Sequence, residues 1–213
     1  MKKSAIIVAG GIGTRMKSDV PKQFLLLDGV PIIVQSIKKF LESDKSISIV
    51  VVLPKAHMLQ WESMKSQHFP DDDFKLAVGG ATRTASVLSG LDLIEEGGLV
   101  AIHDAVRPYV TKETITASFE SAEKDGSGVA VVNLKDSIRE ITGTQSNAKD
   151  RSNYVLVQTP QTFNVTKLKE AYKKIGSKHF TDDASVFEAA GNNVQLIEGS
   201  YDNIKITTPE DLK

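Results

Sequence analysis

The residues near the amino terminus that could do chemistry are the glycines and basic side chains of the stretch AIIVAGGIGTRMKSDVPKQF at residues 5–24. An apolar run leads into a glycine-rich loop, and Arg15 and Lys22 follow with a spacing of seven residues. Glycines let the backbone take positive φ values and bring its N–H groups close to phosphate oxygens. The two basic side chains can add full positive charge beside them. The pattern predicts a site for a nucleoside triphosphate.

Two commoner glycine loops do not fit this stretch. A dinucleotide-binding loop needs a third glycine where Met16 stands, and a P-loop needs a Lys-Ser/Thr pair after its last glycine. An ordinary turn between a strand and a helix remains the alternative. That alternative does not account for two cations and a Pro21 that stiffens the approach to Lys22.

The sequence HDAVRP at residues 103–108 could hold a metal ion. Magnesium prefers one or two carboxylates together with substrate phosphates, so Asp104 opposite a phosphate loop is sufficient. The alternative is an ion pair between Asp104 and Arg107 that stabilises the turn. His103 is interpreted as a structural residue at the end of a strand.

The sequence GGATRTASV at residues 79–87 combines small residues with a hydroxyl group just before an amphipathic helix. Small residues admit close contact with a flat base, and Ser86 could bond the edge of that base. Ser86 could equally serve only to start the helix. Arg83 is interpreted as either a ligand or a cation of the scaffold.

Three later segments supply further polar residues. QTPQTF at 158–163 and TDDAS at 181–185 are interpreted as structural supports, because Thr or Asp before a helix caps its free N–H groups. Lys205 lies inside a short β-like run and needs an anionic partner, for which a phosphate would serve. Asp202 is the alternative partner, or a second carboxylate for the metal.

The sequence around these residues alternates between short apolar runs and segments with the periodicity of helices. The apolar runs are predicted to be buried parallel strands with helices on both faces, which gives a three-layer α/β fold. In such sheets ligands lie beyond the carboxyl ends of the strands, where the loops at 9–22, 79–86 and 103–108 all fall. The five predicted strands are residues 5–9, 47–53, 74–78, 99–103 and 128–132.

One segment departs from this alternation. Residues 135–154 are polar, contain the turn-forming Gly143 and Asn147, and show only weak alternation of apolar residues. The segment is predicted to be a projecting β-arm. With no repeats and no long linker, residues 1–213 are predicted to form a single domain.

Composition excludes several classes of function. The chain has 213 residues, 26 Lys and Arg against 27 Asp and Glu, and no cysteine. A net charge of −1 favours neither nucleic acid nor a membrane surface, so an anion site must be built locally. The absence of cysteine excludes disulfides and thiol nucleophiles and fits a cytoplasmic protein. No apolar run is long enough to span a membrane, and no signal peptide is expected before the first strand.

Taken together, AGGIGTRM with PKQ, HDAVRP, QTPQTF, TDDAS and DNIKITTPEDL resemble the cytidylyltransferases of the non-mevalonate isoprenoid pathway. The resemblance covers almost the whole chain and implies a Rossmann-like nucleotidyltransferase fold. It implies transfer of CMP from CTP to methylerythritol phosphate, a sugar-alcohol phosphate, with Mg²⁺ as cofactor. It also implies a homodimer in which each β-arm reaches the active site of the other subunit.

The resemblance assigns roles to individual positions of this chain. It implies that Arg15 and Lys22 are catalytic and that Asp104 is linked to the magnesium ion. Nucleotide-binding positions would be Ala9, Gly10, Gly11, Gly13, Gly80, Ser86 and Ala105. Acceptor-binding positions would be Arg107, Thr181 and Lys205, together with the arm residues Ser137 and Arg151 that reach the partner subunit's site.

Three other functions are considered. A ribitol 5-phosphate cytidylyltransferase shares the first loop, but its counterpart of TDDAS tends to read TDAC. A nucleotide sensor without activity would not need to retain Arg15, Lys22, Asp104 and Lys205 together. A dehydrogenase that uses NAD would need the missing glycine and an acidic residue for the ribose.

Overall fold

The computed structural model describes residues 1–10, 20–176 and 180–212. Its central feature is a seven-stranded sheet with the strand order β11-β7-β10-β6-β1-β4-β5. Two further strand pairs, β2 with β3 and β8 with β9, form small sheets of their own. The strands are β1 (Lys3–Val8), β2 (Leu26–Leu27), β3 (Val30–Pro31), β4 (Ser48–Leu53), β5 (Lys75–Val78), β6 (Leu99–Asp104), β7 (Ser127–Asn133), β8 (Ile138–Thr142), β9 (Gln145–Lys149), β10 (Val155–Asn164) and β11 (Leu196–Glu198).

Helices cover both faces of this sheet. Alternate residues of a strand point to opposite faces, so Ala5 and Ile7 of β1 pack with one cluster of helices and Ile6 packs with the other. The first cluster takes side chains from α1, α2 and α4, and the second from α3, α5 and α6. The predicted three-layer α/β fold is therefore confirmed. The helices are α1 (Ile32–Ser43), α2 (Met58–His68), α3 (Arg83–Leu91), α4 (Lys112–Asp125), α5 (Val165–Ile175) and α6 (Asp183–Ala189).

Polar residues start four of these helices by accepting a hydrogen bond from a free N–H group of the first turn. Thr82 accepts from Ala85 before α3, and Thr111 accepts from Thr114 before α4. Asn164 and Asp182 do the same before α5 and α6. The capping role predicted for the TDDAS segment is thus seen at Asp182. None of the helices described in the structure combines the length and apolar character needed to span a membrane.

The five strands predicted from apolar runs are all present, within about two residues at each end. The central strand β10 was missed, because QTPQTF was interpreted only as structural support. β10 pairs antiparallel with both β6 and β7, whereas the other pairings in the seven-stranded sheet are parallel. Its pairing with β7 is irregular between Val157 and Gln161, and Pro160 lies in this irregular stretch.

The segment predicted as a projecting arm contains the β8–β9 hairpin. Its residues are largely exposed, and β8 and β9 pair only with each other. Gly143 takes a φ of 60° at the turn of the hairpin, a conformation that glycine adopts without strain. Asn147, predicted to be a turn residue, instead pairs with Glu140 inside β9.

Candidate active site

A pocket of about 270 Å³ opens at the carboxyl edge of the sheet, where three of the predicted loops meet. The chain passes from β1 to β4 and β5 on one side of β1, and then returns to β6 on its other side. The end of β1 is therefore a topological switch point, which is the usual position of a ligand in such sheets. The pocket is lined by Val8, Ala9, Gly10, Lys22, Gln23, Gly80, Ala81, Thr82, Arg83, Ser86, Asp104, Val106 and Lys205.

Ser86, within α3, fixes the loop at 79–86 by hydrogen bonds and packs closely against Gly10 of the first loop. It accepts a hydrogen bond from the Gly80 N–H group at 3.1 Å and donates one to the Thr82 carbonyl at 2.9 Å. A Cβ atom on Gly10 would lie only 2.9 Å from the Ser86 hydroxyl oxygen. The helix-starting role considered for Ser86 belongs to Thr82, and Ser86 instead shapes the loop backbone that lines the pocket.

Gly80 cannot carry a side chain without moving the loop. Its Cβ atom would lie 2.4 Å from the Cβ atom of Ala85, so we expect Gly80→Ala to raise KM for the nucleotide about tenfold and to lower stability by about 1–3 kcal/mol. Steady-state kinetics and urea unfolding measure the two effects. The double variant Gly80→Ala with Ala85→Gly should recover part of both, because the closest atom is gone. No recovery in the double variant would contradict this steric account.

Gln23 is a pocket residue to which the sequence analysis gave no role. It is buried, and its side-chain amide donates to the Ala9 carbonyl at 3.1 Å. The Ala9 N–H group donates to Val52 at 2.9 Å, so both backbone groups of Ala9 are fixed. The PKQ string was a usable signal, because Gln23 directly follows the predicted catalytic Lys22.

Ala105 lies behind the pocket wall. It is fully buried, its N–H group donates to the Val8 carbonyl at 3.0 Å, and its own carbonyl accepts from Ser36 at 2.8 Å. Of the predicted catalytic and nucleotide-binding residues that the structure describes, Ala9, Gly10, Lys22, Gly80 and Ser86 line the pocket and Ala105 does not. The predicted site residues Gly11, Gly13 and Arg15 lie outside the described residues.

Asp104, at the end of β6, lies among three cations. Its carboxylate oxygens are 2.8 Å from the Lys205 Nζ atom, 3.7 Å from Arg83 Nε and 3.7 Å from Arg107 Nε. Burial raises the pKa of the Asp104 carboxyl, but Lys205, Arg83 and Arg107 together hold this pKa well below its usual range. The carboxylate is therefore ionised at neutral pH. Arg83 also pairs with Asp183, so three positive groups meet two carboxylates, and the net positive charge of the cluster attracts anions.

Lys205 reaches this cluster from an extended segment near the end of the chain. The run around Lys205 was predicted to be β-like, but the structure has no strand there. The segment is held by Ile206, which is buried and whose N–H group donates to the Val106 carbonyl at 2.9 Å. The anionic partner of Lys205 is Asp104, and Asp202 is exposed and lines neither this pocket nor the one beside it. Asp202 is thus not placed to be a second metal ligand.

His103 is a buried and neutral support for the cluster. Its Nδ1 atom lies 3.1 Å from the Thr159 hydroxyl, and its Nε2 atom lies 3.2 Å from the Arg107 carbonyl. Burial lowers the pKa of His103 to about 4, which keeps the ring uncharged at neutral pH. The same Thr159 hydroxyl accepts from the Asp104 N–H group at 3.1 Å. His103 therefore orders the backbone around Asp104 and fits its predicted structural role.

A second pocket, of about 390 Å³, adjoins the first. Arg83, Asp104 and Lys205 line both pockets, so the charged cluster forms a partition between them. Arg107 faces the second pocket, and its guanidinium donates to the Asn203 carbonyl at 2.6 Å. The remaining lining residues are Val157, Gln158, Thr159, Gln161, Thr181, Asp182 and Ser185.

The predicted arm residues lie apart from both pockets of their own chain. Ser137 and Arg151 are exposed and line neither pocket, and the Arg151 guanidinium donates to the Lys135 carbonyl. Thr181 is exposed at the edge of the second pocket. The structure thus brings Arg107, Thr181 and Lys205 together and leaves Ser137 and Arg151 on the arm.

The described part of the chain contains no group of three or more histidine, cysteine or acidic side chains that could hold a metal ion by itself. Asp104 is the carboxylate that faces both pockets together with Lys205. One carboxylate is a suitable protein ligand for magnesium only when substrate phosphates supply further oxygens. The donor set therefore fits a metal that arrives with a phosphorylated substrate.

Two adjoining pockets with a cationic partition, placed at the switch point of a three-layer α/β sheet, suit a reaction between two phosphorylated substrates. The fold and the site together define a nucleotidyltransferase. The family model described as "IspD: 2-C-methyl-D-erythritol 4-phosphate cytidylyltransferase" matches residues 4–213. The chain belongs to this family.

Individual relatives agree with the family model. The 2-C-methyl-D-erythritol 4-phosphate cytidylyltransferase of Bacteroides thetaiotaomicron is 46% identical over 213 residues, covering 100% of this chain and 97% of the relative. The solved Francisella tularensis enzyme of that name is 31% identical with a TM-score of 0.80, covering 100% and 97% of the two chains. The 4-diphosphocytidyl-2C-methyl-D-erythritol synthase structure from Anaerococcus prevotii is 26% identical with a TM-score of 0.83, covering 98% and 94%.

Proposed function

We propose that this chain transfers CMP from CTP to 2-C-methyl-D-erythritol 4-phosphate, releasing diphosphate and forming 4-diphosphocytidyl-2-C-methyl-D-erythritol. The observation that carries the proposal is the partition formed by Arg83, Asp104 and Lys205 between two adjoining pockets. Family membership identifies the two substrates, because its members are named for them. In this assignment CTP occupies the pocket lined by the glycine loops, and the acceptor phosphate occupies the pocket lined by Arg107 and Thr181.

The reaction needs little proton transfer from the protein. A phosphate monoester has a second pKa of about 6 and is already an anionic nucleophile at neutral pH. An oxygen of the acceptor phosphate attacks the α-phosphorus of CTP. The bond between the α-phosphorus and the oxygen that bridges to the β-phosphorus breaks. Diphosphate leaves on the side opposite the attack and takes the electron pair of that bond. The chain's task is to neutralise the charge that develops, which Lys22, Arg83 and Lys205 do as preorganised cations. This account is consistent with a neutral, buried His103 that takes no part.

Magnesium is proposed as the cofactor, with Asp104 as its protein ligand and the CTP phosphates as the other ligands. Bound magnesium would neutralise phosphate charge and polarise the α-phosphate for attack. The proposal is supported by the fit of a single ionised carboxylate to a cation that binds together with phosphates.

We also infer a homodimer in which the arm of each subunit completes the other subunit's acceptor pocket. Three observations support this arrangement: the β8–β9 hairpin is exposed, Ser137 and Arg151 line neither pocket of their own chain, and apolar side chains on the arm and just after it are open to solvent. Exposed apolar side chains are available for an interface. They are Ile141 on β8, Tyr154 at the end of the arm, and Leu156 and Val157 at the start of β10.

Shared sites predict that two inactive variants complement each other. In a mixed dimer of Lys22→Ala and Arg151→Ala subunits, one site carries both substitutions and the other carries neither. An equal mixture should therefore regain about a quarter of the wild-type rate. The control is a mixture of Lys22→Ala with Asp104→Asn, which belong to the same chain's site and should give no recovery. If the first mixture stays as inactive as the control, Arg151 does not serve the partner's site.

The proposed function is tested by diphosphate release with CTP and magnesium. 2-C-methyl-D-erythritol 4-phosphate and ribitol 5-phosphate are compared as acceptors, with CTP binding measured by calorimetry on the same sample. Release with the first acceptor alone is the expected result. Release with ribitol 5-phosphate alone would assign the chain to wall-polymer synthesis. Bound CTP without release from either acceptor would indicate a nucleotide sensor.

A further inference from the structure

A buried carboxylate behind the partition has no role in the account above. Asp183 is fully buried at the start of α6 and lines neither pocket. One of its oxygens accepts a hydrogen bond from the Tyr172 hydroxyl at 2.5 Å, and the other lies 2.7 Å from the Arg83 NH1 atom. Burying a charge costs free energy unless the charge is paired. An apolar residue at this position would avoid that cost, so we expect a role that only a carboxylate can fill.

The backbone and its hydrogen bonds hold Asp183 in place. The side-chain oxygen of Gln161 on β10 accepts from the Asp183 N–H group at 3.0 Å and from the Ala184 N–H group at 2.9 Å. Burial, and then the Asp183 charge, raise the pKa of the Tyr172 hydroxyl, so this hydroxyl stays protonated and remains a donor. Gln161 therefore fixes the backbone of Asp183, and Tyr172 fixes one carboxylate oxygen, while the other oxygen faces Arg83.

Arg83 lies between two carboxylates. Asp183 contacts its NH1 atom from behind, and Asp104 lies 3.7 Å from its Nε atom on the pocket side. Its third nitrogen, NH2, is buried and has no hydrogen-bond partner within the described ranges 1–10, 20–176 and 180–212. The Arg83 side chain is 24% exposed and lines both pockets, so its accessible part can donate to an oxygen of a bound phosphate.

We propose that Asp183 and Tyr172 are positioning residues that hold the Arg83 guanidinium at the partition, where it bonds a phosphate oxygen shared by the nucleotide and acceptor pockets. The proposal deepens the proposed function and rests on it. An arginine side chain loses rotamer entropy when it is fixed. The contact with the Asp183 carboxylate fixes Arg83 in the free enzyme, so that Arg83 is already oriented when the substrates bind.

The alternative is that Asp183 only ties α6 to α3, in which case its removal lowers stability and leaves turnover unchanged. A double-mutant cycle separates the two roles. We expect Arg83→Gln to lower kcat about 100-fold and Asp183→Asn to lower it about tenfold, with KM for CTP within a fewfold of wild type. The double variant should be no slower than Arg83→Gln alone, because Asp183 acts through Arg83.

Two kinetic outcomes would overturn the proposal. Multiplied effects in the double variant would mean that Asp183 acts independently of Arg83. An Asp183→Asn variant with a lower melting temperature and wild-type kcat would mean a purely structural role. Tyr172→Phe removes only the hydroxyl and should lower kcat a fewfold, whereas Tyr109→Phe, outside both pockets, is the matched control.

A readout that does not depend on activity keeps this test separate from the test of function. The chain has only five arginines, so a nitrogen NMR spectrum of arginine-labelled protein can resolve the Arg83 Nε–H group, assigned through Arg83→Gln. We expect this proton to exchange slowly with water in the wild type and at least tenfold faster in Asp183→Asn. Equal exchange rates would overturn the positioning role. Failure of the proposed function would show instead as absent diphosphate release from the wild type.

Discussion

Replacing Lys22 with alanine is expected to lower kcat about 100- to 1,000-fold, while KM for CTP changes by less than about tenfold. Lys22 lines the pocket formed by the glycine loops. Charge on the α-phosphate oxygens and the leaving diphosphate is greatest in the transition state, so a fixed cation stabilises that state more than the bound substrate. Single-turnover kinetics and calorimetric CTP binding measure the two quantities.

Lys55→Ala is the matched control for this prediction, because Lys55 is an exposed lysine that follows β4 and lines neither pocket. It should leave both quantities within twofold of wild type, as expected for a surface substitution. Equal losses of CTP binding and turnover in Lys22→Ala would contradict the catalytic role and make Lys22 a simple binding residue.

Asp104→Asn is expected to abolish measurable transfer and to lower the free energy of unfolding by about 3 kcal/mol. A neutral amide would leave Lys205 and Arg107 without the carboxylate that balances them, and Arg83 with Asp183 alone. It would also remove the proposed protein ligand for magnesium. Diphosphate release gives the first effect, and urea unfolding without magnesium gives the second.

The stability effect should depend on pH in a defined direction. The Asp104 pKa is lower in the folded chain than in the unfolded chain, so the unfolded state takes up a proton first as the pH falls. The difference in unfolding free energy between wild type and Asp104→Asn should be constant above about pH 5 and shrink below about pH 4. A difference that grows on acidification would show that other groups dominate.

Asp202→Asn is the control for both effects of Asp104→Asn. Asp202 was the alternative carboxylate, but it is exposed and lies outside both pockets. Its substitution should leave transfer and stability close to wild type. Loss of transfer in Asp202→Asn would return it to the site as a metal ligand.

The predictable part of the fold is the part with clear hydrophobic periodicity. Runs such as IVVVL at 49–53 are apolar throughout because both faces of their strands are covered by helices. β10 carries no such run, since its buried half is QTPQTF and contains a proline that argues against a central strand. The irregular pairing near Pro160 accommodates the proline within the strand. No pattern of residues in the neighbouring sequence predicts this irregularity.

The position of a residue in the pocket was predictable where its motif follows a strand, as at Gly10, Gly80 and Asp104, and the roles of these residues stay predictions. Contacts between distant segments were not predictable. Lys205 was recognised as a cation in need of an anion, but its pairing with Asp104 depends on how the last segment crosses β6. Gln161 and Asp183 lie within QTPQTF and TDDAS, which the sequence indicates only as structural supports, and their contacts depend on how distant segments pack.

The position of β10 has a consequence for how the chain reaches its final form. β10 lies between β6 and β7, which are consecutive strands of this sheet along the chain but do not pair with each other. Before residues 155–164 have been synthesised, β7 cannot join the part of the sheet formed by β5, β4, β1 and β6. The edges of β6 and β7 that later pair with β10 are then open to other strands. We therefore expect the nascent chain to carry an incomplete sheet until β10 inserts between β6 and β7.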